Sequence, residues 1–203
     1  MTSRSILFAA LLAAAAPPAV CLAQAADPAV TTIDGFNDSL LGVMKQAKSL
    51  GVQGRYKELQ PAVVRAFDLP VMTRFAVGPK WSTLSPQQQD DLIKAFTRLS
   101  VANYAHNFDG YDGQKFVIDP KVDTRGPDKL VRTQLVSPHD KPVDLTYRMR
   151  QAADGRWKII DVYFNSSISE LATRRSDFAS TMDTGGAAPL VKKIDALADK
   201  QLK

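Results

Sequence analysis

The chain has few of the side chains that bind transition metals or carry out thiol chemistry. Its 203 residues include one cysteine, Cys21, and two histidines, His106 and His139. This is too little material for a His/Cys metal cluster or for cysteine-dependent redox chemistry. Glutamate is also rare, and the lysines and arginines are scattered rather than grouped into the basic block of a nucleic-acid site. We therefore expect no metal, no cofactor and no nucleic-acid partner.

Sequence motifs of the common enzyme classes are absent as well. The chain contains no GxSxG elbow, Walker loop, GxGxxG fingerprint or HExxH pair, and both histidines suit surface or capping positions. One enzyme hypothesis stays open, because Asp161 interrupts an apolar strand and could form an acid/base pair with Tyr147 in a small isomerase-like pocket. The alternative interpretation is that backbone amides or an arginine at the sheet end satisfy this carboxylate.

The N-terminus has the three parts of a secretory signal peptide. Arg4 precedes an apolar run at residues 6–16, and small residues suited to cleavage follow up to Ala25. The apolar run is shorter than the roughly 20 residues that a transmembrane helix needs. Cys21 offers an alternative as a lipoprotein attachment site, although the residues before it favour removal of the whole segment.

We therefore predict a signal peptide over residues 1–25 and a single domain over residues 26–203. The signal peptide predicts that the mature protein is exported. A domain of this length can be held together by a hydrophobic core of normal size and needs no disulfides.

Apolar residues recur at helical spacing in the first half of the chain and again at its end. Four helices are predicted before the middle of the chain: Ile33 to near Gly51, Tyr56–Ala66, Leu69–Ala76 and Pro86 to about Phe108. The clearest helix start is Ser85-Pro86-Gln87-Gln88, which has the form of a capping box. A second capping box at Ser167–Glu170 predicts another helix, and the last helix follows a linker at residues 184–188.

Between these helices the apolar period changes to two, which is typical of β-strands. Four strands are predicted, at Phe116–Ile118, Leu130–Val136, Val143–Arg150 and Trp157–Phe164, with an Asp154-Gly155 turn between the last two. In the third strand Val143, Leu145, Tyr147 and Met149 share one face, while Asp144, Thr146, Arg148 and Arg150 are expected to face water. In the fourth strand the buried face is ambiguous, because Trp157 and Ile159 compete with Ile160 and Val162. The expected fold is α+β: a curved antiparallel sheet of about four strands, with amphipathic helices before and after it packed on one face.

Two groups of residues resemble one protein family. The first runs Gly78-Pro79-Lys80-Trp81, Leu84-Ser85-Pro86-Gln87-Gln88, Phe96 and Tyr104; the second runs Val143 to Met149 and then Gly155 to Val162. Their types and order are similar to those of the toluene-tolerance (MlaC) family of periplasmic lipid-binding proteins. The resemblance implies a soluble carrier that shelters the apolar part of a phospholipid or hopanoid in a cavity between sheet and helices. It also implies transfer between membrane-bound complexes, as an auxiliary component of an ABC transporter, no enzyme activity, and a structural role for Asp161.

One segment departs from the common family pattern. At Asn165–Phe178 the chain reads NSSISELATRRSDF where the family commonly has Gly-Val-Ser. This run resembles the hopanoid-biosynthesis-associated branch, the HpnM-type proteins, and so implies hopanoids or related lipids as cargo.

The faces of the predicted elements suggest which residues line such a cavity. The candidate lipid-binding residues are Phe75, Phe96, Leu99, Leu145, Tyr147, Met149, Ile159 and Val162, with Val71 and Trp81 near the mouth. Periodicity alone does not distinguish a cavity from a filled core. A periplasmic protein-protein adaptor with a filled core therefore stays open as an alternative function, alongside the isomerase. We expect a monomer, and Arg148, Arg150, Arg174 and Arg175 to form a solvated basic surface or to meet anionic head groups.

Overall fold

The computed structural model describes residues 27–165 and 167–203, so the predicted signal peptide lies outside the described residues. The helices are α1 (Pro28–Lys45), α2 (Ala47–Ala66), α3 (Leu69–Val77), α4 (Pro86–Asn107), α5 (Glu170–Gly185) and α6 (Ala187–Gln201), with a 3₁₀ helix at Gly78–Thr83. The strands are β1 (Lys115–Ile118), β2 (Asp123–Arg125), β3 (Asp128–Val136), β4 (Val143–Gln151), β5 (Trp157–Phe164) and β6 (Ile168–Ser169). Among the helices described here, none has the length and apolar character to cross a membrane.

The first two helices both begin earlier than predicted, and the first also ends earlier, at Lys45. The α1 helix starts at Pro28 rather than Ile33, because the Asp27 carboxylate caps it by accepting a 2.9 Å hydrogen bond from the Ala29 N–H. Gly51, near which the first helix was predicted to end, lies inside α2 and forms a kink there, with φ 60° and ψ 177°. Helical structure resumes directly after the kink rather than at Tyr56, because glycine adopts this conformation without a steric penalty.

One predicted capping box is confirmed and the other is wrong. The Ser85 Oγ accepts a 3.2 Å hydrogen bond from the Gln88 N–H, and the Gln88 Oε1 accepts a 2.9 Å bond from the Ser85 N–H. At the second site the cap is Ser169, whose Oγ accepts a 2.9 Å bond from the Ala172 N–H, and not Ser167. The helix starts later because Ile168 and Ser169 pair with β5 as the short strand β6.

The four predicted strands form most of one antiparallel sheet. Its strand order is β1-β3-β4-β5-β6, and β2 pairs with β3 beside β1. The two strands that were not predicted, β2 and β6, have only three and two residues. Segments this short give no measurable period-two signal. The Asp154-Gly155 turn is confirmed, with Gly155 at φ 80°.

A β-bulge in β5 settles which of its residues face the helices. Opposite β4, Val162 pairs with Tyr147 and Asp161 with Arg148, but the next partner, that of Met149, is Ile159. Ile160 is therefore an extra residue, and the alternation of faces slips by one position there. Since directly paired residues share a face, both Ile159 and Val162 point toward the helices.

The opposite face of the sheet is less hydrated than predicted. Thr146 was expected to face water but is only 8% exposed, and Asp128, which pairs with Arg150 on the same face, is 2% exposed. The Asp128 carboxylate accepts hydrogen bonds from the Arg148 Nε at 2.7 Å and from the Arg150 Nε at 2.6 Å. Arg148, Arg150 and Asp128 therefore form a hydrogen-bonded cluster of charges on this face.

The helices pack on the other face of the sheet, which confirms the α+β architecture. The α1 helix crosses β1, β3 and β5, and the end of α2 is fixed to β5 by a 2.8 Å hydrogen bond from the Asp68 N–H to the Ile159 carbonyl. The α4 helix packs mainly on α6 and α2 instead of the sheet. This arrangement leaves space between α4 and the strands.

Candidate binding cavity

A cavity of about 540 Å³ occupies the space between α4 and the sheet. This volume lies within the range of about 300–1,000 Å³ that is usual for small-molecule sites. Its walls come from the end of α2, from α3, α4, α5 and α6, and from strands β3, β4 and β5. The apolar wall consists of Phe67, Met72, Phe96, Leu99, Tyr104, Phe108, Leu135, Val143, Leu145, Tyr147, Val162, Phe164 and Leu171.

The floor of the cavity follows the cross-strand rows of the sheet. Leu135 pairs with Val143, Leu145 with Phe164, and Tyr147 with Val162. These pairs share the helix-facing side and lie in three successive rows. The next row, Met149 with Ile159, is fully buried and lies under the junction between α2 and α3, so the cavity ends at Tyr147.

The remaining wall residues are polar, come from α4, α5 and α6, and are called the polar rim. Ser100, Asn103 and Asn107 lie three or four positions apart on α4, and Glu170, Arg174 and Gln201 come from α5 and α6. The Arg174 Nη2 lies 2.8 Å from the Glu170 Oε1, and the arginine side chain is 20% exposed. The rim therefore combines hydroxyl, amide and ion-pair groups next to an apolar interior.

Two tyrosines in the wall keep their protons at neutral pH. Burial raises the pKa of the Tyr147 phenol well above its usual value. Burial also raises the pKa of the Tyr104 phenol, and the nearby Tyr147 and Glu170 raise it further. Neither phenol can act as an ionised base, so their contribution to the wall is that of neutral, largely apolar rings.

Half of the ten residues proposed from the sequence lie in the cavity wall: Phe96, Leu99, Leu145, Tyr147 and Val162. Val71, Phe75, Trp81, Met149 and Ile159 are not among its lining residues. Phe75 is 38% exposed on α3, whereas Met149 and Ile159 are inaccessible core residues. The polar stripe on α4, at residues 100, 103 and 107, is the signal in the sequence that could have indicated the rim.

The structure separates the two residues of the isomerase hypothesis. Tyr147 lines the cavity, whereas Asp161 pairs with Arg148 and so lies on the opposite face of the sheet. The Asp161 carboxylate accepts hydrogen bonds from the Ser169 Oγ at 2.7 Å, the Val162 N–H at 2.8 Å and the Leu171 N–H at 3.1 Å. The acid/base pair is therefore wrong, and Asp161 instead connects β5 to the start of α5.

Comparison with known proteins gives a family and a fold. The family model described as "MlaC protein" matches residues 35–196. None of the curated proteins matches the chain. Among solved structures, the chain is similar to a phospholipid-binding protein from Ralstonia solanacearum in complex with a phospholipid, with 24% identity and a TM-score of 0.74. That match covers 86% of this chain and 99% of the other, and at this identity it shows the fold alone.

Proposed function

The chain belongs to the MlaC family, and from that premise we propose that it is a soluble periplasmic carrier that binds a lipid and shuttles it between membrane complexes. The observation that carries the proposal is the cavity of about 540 Å³, which joins an apolar interior to a polar rim. A lipid has the same division into an apolar chain and a polar head. The predicted signal peptide at residues 1–25 supports the periplasmic location.

The apolar interior accounts for the energy of holding a lipid in water. Each buried methylene contributes roughly 0.8 kcal/mol, so sheltering about ten of them supplies on the order of 8 kcal/mol before the costs of association. The floor rows at Leu145 and Tyr147 and the facing α4 residues Phe96 and Leu99 provide this surface. No catalytic group or metal is required for it.

The polar rim suits the head group. The amides of Asn103 and Asn107 offer donors and acceptors, and the ion pair of Glu170 with Arg174 has no net charge. Such a rim can bind a phosphate through Arg174 or a hydroxylated head through its amide and carboxylate groups.

Two cargo classes therefore remain, and each has its own support. The Ralstonia solanacearum protein of the same fold holds a phospholipid. The run at Asn165–Phe178, which resembles the hopanoid-associated branch, contributes Glu170, Leu171 and Arg174 to the cavity wall. Because the departure from the common family pattern falls at the rim, it supports a different head group, as in hopanoids.

The alternatives have less support. The adaptor hypothesis rested on a filled core, and the described residues enclose a cavity instead. The isomerase hypothesis rested on Tyr147 and Asp161, which the sheet separates. We retain the monomer and the membrane-complex partners as parts of the carrier proposal.

The test is mass spectrometry of the mature protein purified from its native periplasm without detergent, both as the intact complex and as an organic extract. We expect one stoichiometric lipid, and its mass distinguishes a phospholipid from a hopanoid. A protein that carries no lipid, and that takes none from vesicles, would contradict the carrier function and favour an adaptor.

A further inference from the structure

A second cavity lies directly beside the first. It has a volume of about 420 Å³ and shares four lining residues with the cavity described above: Asn107, Phe108, Leu135 and Val143. The two cavities therefore meet at these four residues. We call them the first and second compartments: the first lies between α4 and the sheet, and the second lies at the end of α4, between Met44 of α1 and the loops at residues 109–114 and 137–142.

Phe108 is the aromatic residue among the four that line both compartments. Its ring stacks on Tyr104 with centroids 5.7 Å apart and lies 6.3 Å from Phe116. Phe116, Leu135 and Val143 are cross-strand neighbours on β1, β3 and β4, so the ring faces one complete row of the sheet. Phe108 is also the first residue after α4, with φ −105° and ψ 62°, and its N–H bonds to the Tyr104 carbonyl at 3.1 Å. The end of the helix therefore fixes the position of the ring.

The second compartment has an apolar inner side and a charged mouth. Met44, Leu135 and Val143 are buried or half-buried. The charged residues of the mouth are exposed: Lys48, Asp109, Asp112, Asp140 and Lys141. Two loops cross this mouth, residues 109–114 and 137–142. The loops meet where the His139 Nε2 lies 3.3 Å from the Asp112 Oδ2, with both side chains more than 70% exposed. Apolar surface is thus available beyond the Phe108 ring.

We propose that Phe108 sets the length of apolar chain that the protein shelters, by dividing one channel into an occupied compartment and a reserve compartment. This inference rests on the proposed lipid-carrier function. With the ring in place, a chain that enters past the rim ends at the row of Leu135 and Val143. Removing the ring extends the channel toward Met44, and each methylene sheltered there raises the occupancy of a longer lipid by up to about fourfold.

The experiment compares the wild-type protein with Phe108→Ala. Both are loaded from vesicles with equal amounts of dimyristoleoyl, dipalmitoleoyl, dioleoyl and dieicosenoyl phosphatidylcholine, and the bound lipids are counted by native mass spectrometry. The free energy of extracting a given lipid from the vesicle is the same for both proteins. For each lipid, the ratio of the amounts bound by the variant and by the wild type therefore depends only on the protein. We expect Phe108→Ala to shift the profile toward the longer chains and Phe108→Trp to shift it toward the shorter ones.

Further variants separate the partition from general loosening. Ser137→Trp, added to Phe108→Ala, fills the second compartment without touching the first and restores the wild-type profile, since Ser137 lines only that compartment. Val117→Ala, on the other face of β1 and 44% exposed, leaves the profile unchanged. Phe108→Leu tests the same claim if the alanine variant does not fold. Bound lipid with the same length profile in all Phe108 variants overturns the partition alone, whereas wild-type protein without lipid overturns the carrier function and the partition with it.

Discussion

Ile159 and Val162 face the same side of the sheet, although a regular strand would place residues three positions apart on opposite sides. The bulge at Ile160 is the cause, because Met149 pairs with Ile159 while Tyr147 pairs with Val162. The two residues nevertheless differ in surroundings. Val162 lines the cavity, whereas Ile159 is fully buried where α2 meets β5.

The β4 residues on the same face differ in the same way: Leu145 lines the cavity, whereas Met149, the partner of Ile159, is buried in the core. We therefore expect different results from a tryptophan substitution at each position. Leu145→Trp places the larger ring in the cavity, so we expect loss of lipid loading from vesicles with little change in thermal stability. Met149 is fully buried outside the cavity, and Met149→Trp overpacks the core at a cost of about 1–3 kcal/mol in the free energy of unfolding. Lipid loading and urea unfolding, measured on both variants, check the assignment. Undiminished loading in Leu145→Trp would move the binding site elsewhere.

The Asp128 carboxylate stabilises the outer face of the sheet. Asp128→Asn removes the charge that holds Arg148 and Arg150, and charge-assisted hydrogen bonds of this type contribute about 1.5–3 kcal/mol. We expect a loss of this size in urea unfolding at neutral pH. As a control, Asp90→Asn removes an exposed partner of Lys94 and has a much smaller effect. Equal losses in the two variants would contradict the role of Asp128.

The same residue predicts a pH dependence of stability. Burial raises the pKa of Asp128, but hydrogen bonds from Arg150 and Arg148 outweigh this effect, so the pKa is lowered overall. A carboxyl group with a lowered folded-state pKa stabilises the protein above its unfolded pKa of about 3.9, and this stability is lost as the pH falls through the folded value. The difference in unfolding free energy between wild type and Asp128→Asn is therefore constant above about pH 5 and shrinks below about pH 4. Unfolding curves across this range test it, and a difference that grows toward acid would refute it.

The start of α5 depends on Ser169. Its Oγ donates to Asp161 and accepts from the Ala172 N–H, so Ser169→Ala should cost about 0.5–2 kcal/mol. Ser167→Ala is the matched control, since Ser167 lies before the helix and should have a smaller effect. Hydrogen exchange of the first α5 amides distinguishes the two serines. Faster exchange in Ser167→Ala than in Ser169→Ala would show that the cap is misassigned.

The kink in α2 requires glycine. Gly51 has φ 60° and ψ 177°, a region almost confined to glycine, so Gly51→Ala should destabilise the protein by about 1–3 kcal/mol. Gly42 lies within α1, and a Cβ added there would have no neighbour within 4 Å, so Gly42→Ala should stabilise the protein by about 0.5–1 kcal/mol. The two melting temperatures should move in opposite directions, and a rise for Gly51→Ala would contradict the kink.

Much of the fold follows from the sequence because periodicity reports which side of an element is apolar. The alternation at Val143–Arg150 predicted β4 and its helix-facing side, and the Ser85 capping box predicted the start of α4. The same signal failed for β2 and β6, which are too short to show a period. In β5 the alternation was ambiguous, because Trp157 and Ile159 on one face and Ile160 and Val162 on the other are all apolar. The bulge at Ile160 is the reason: it shifts the alternation by one residue.

The sequence by itself determined the order of the helices and main strands and, through its motifs, the family. Only the tertiary structure decided which apolar residues border empty space: Leu145 lines the cavity, whereas Met149, two positions later on the same face, is core. The physical reason is that an apolar side chain satisfies the same pattern whether another element packs on it or not. The distance between α4 and the sheet depends on contacts among α2, α4 and α6 that no local pattern encodes.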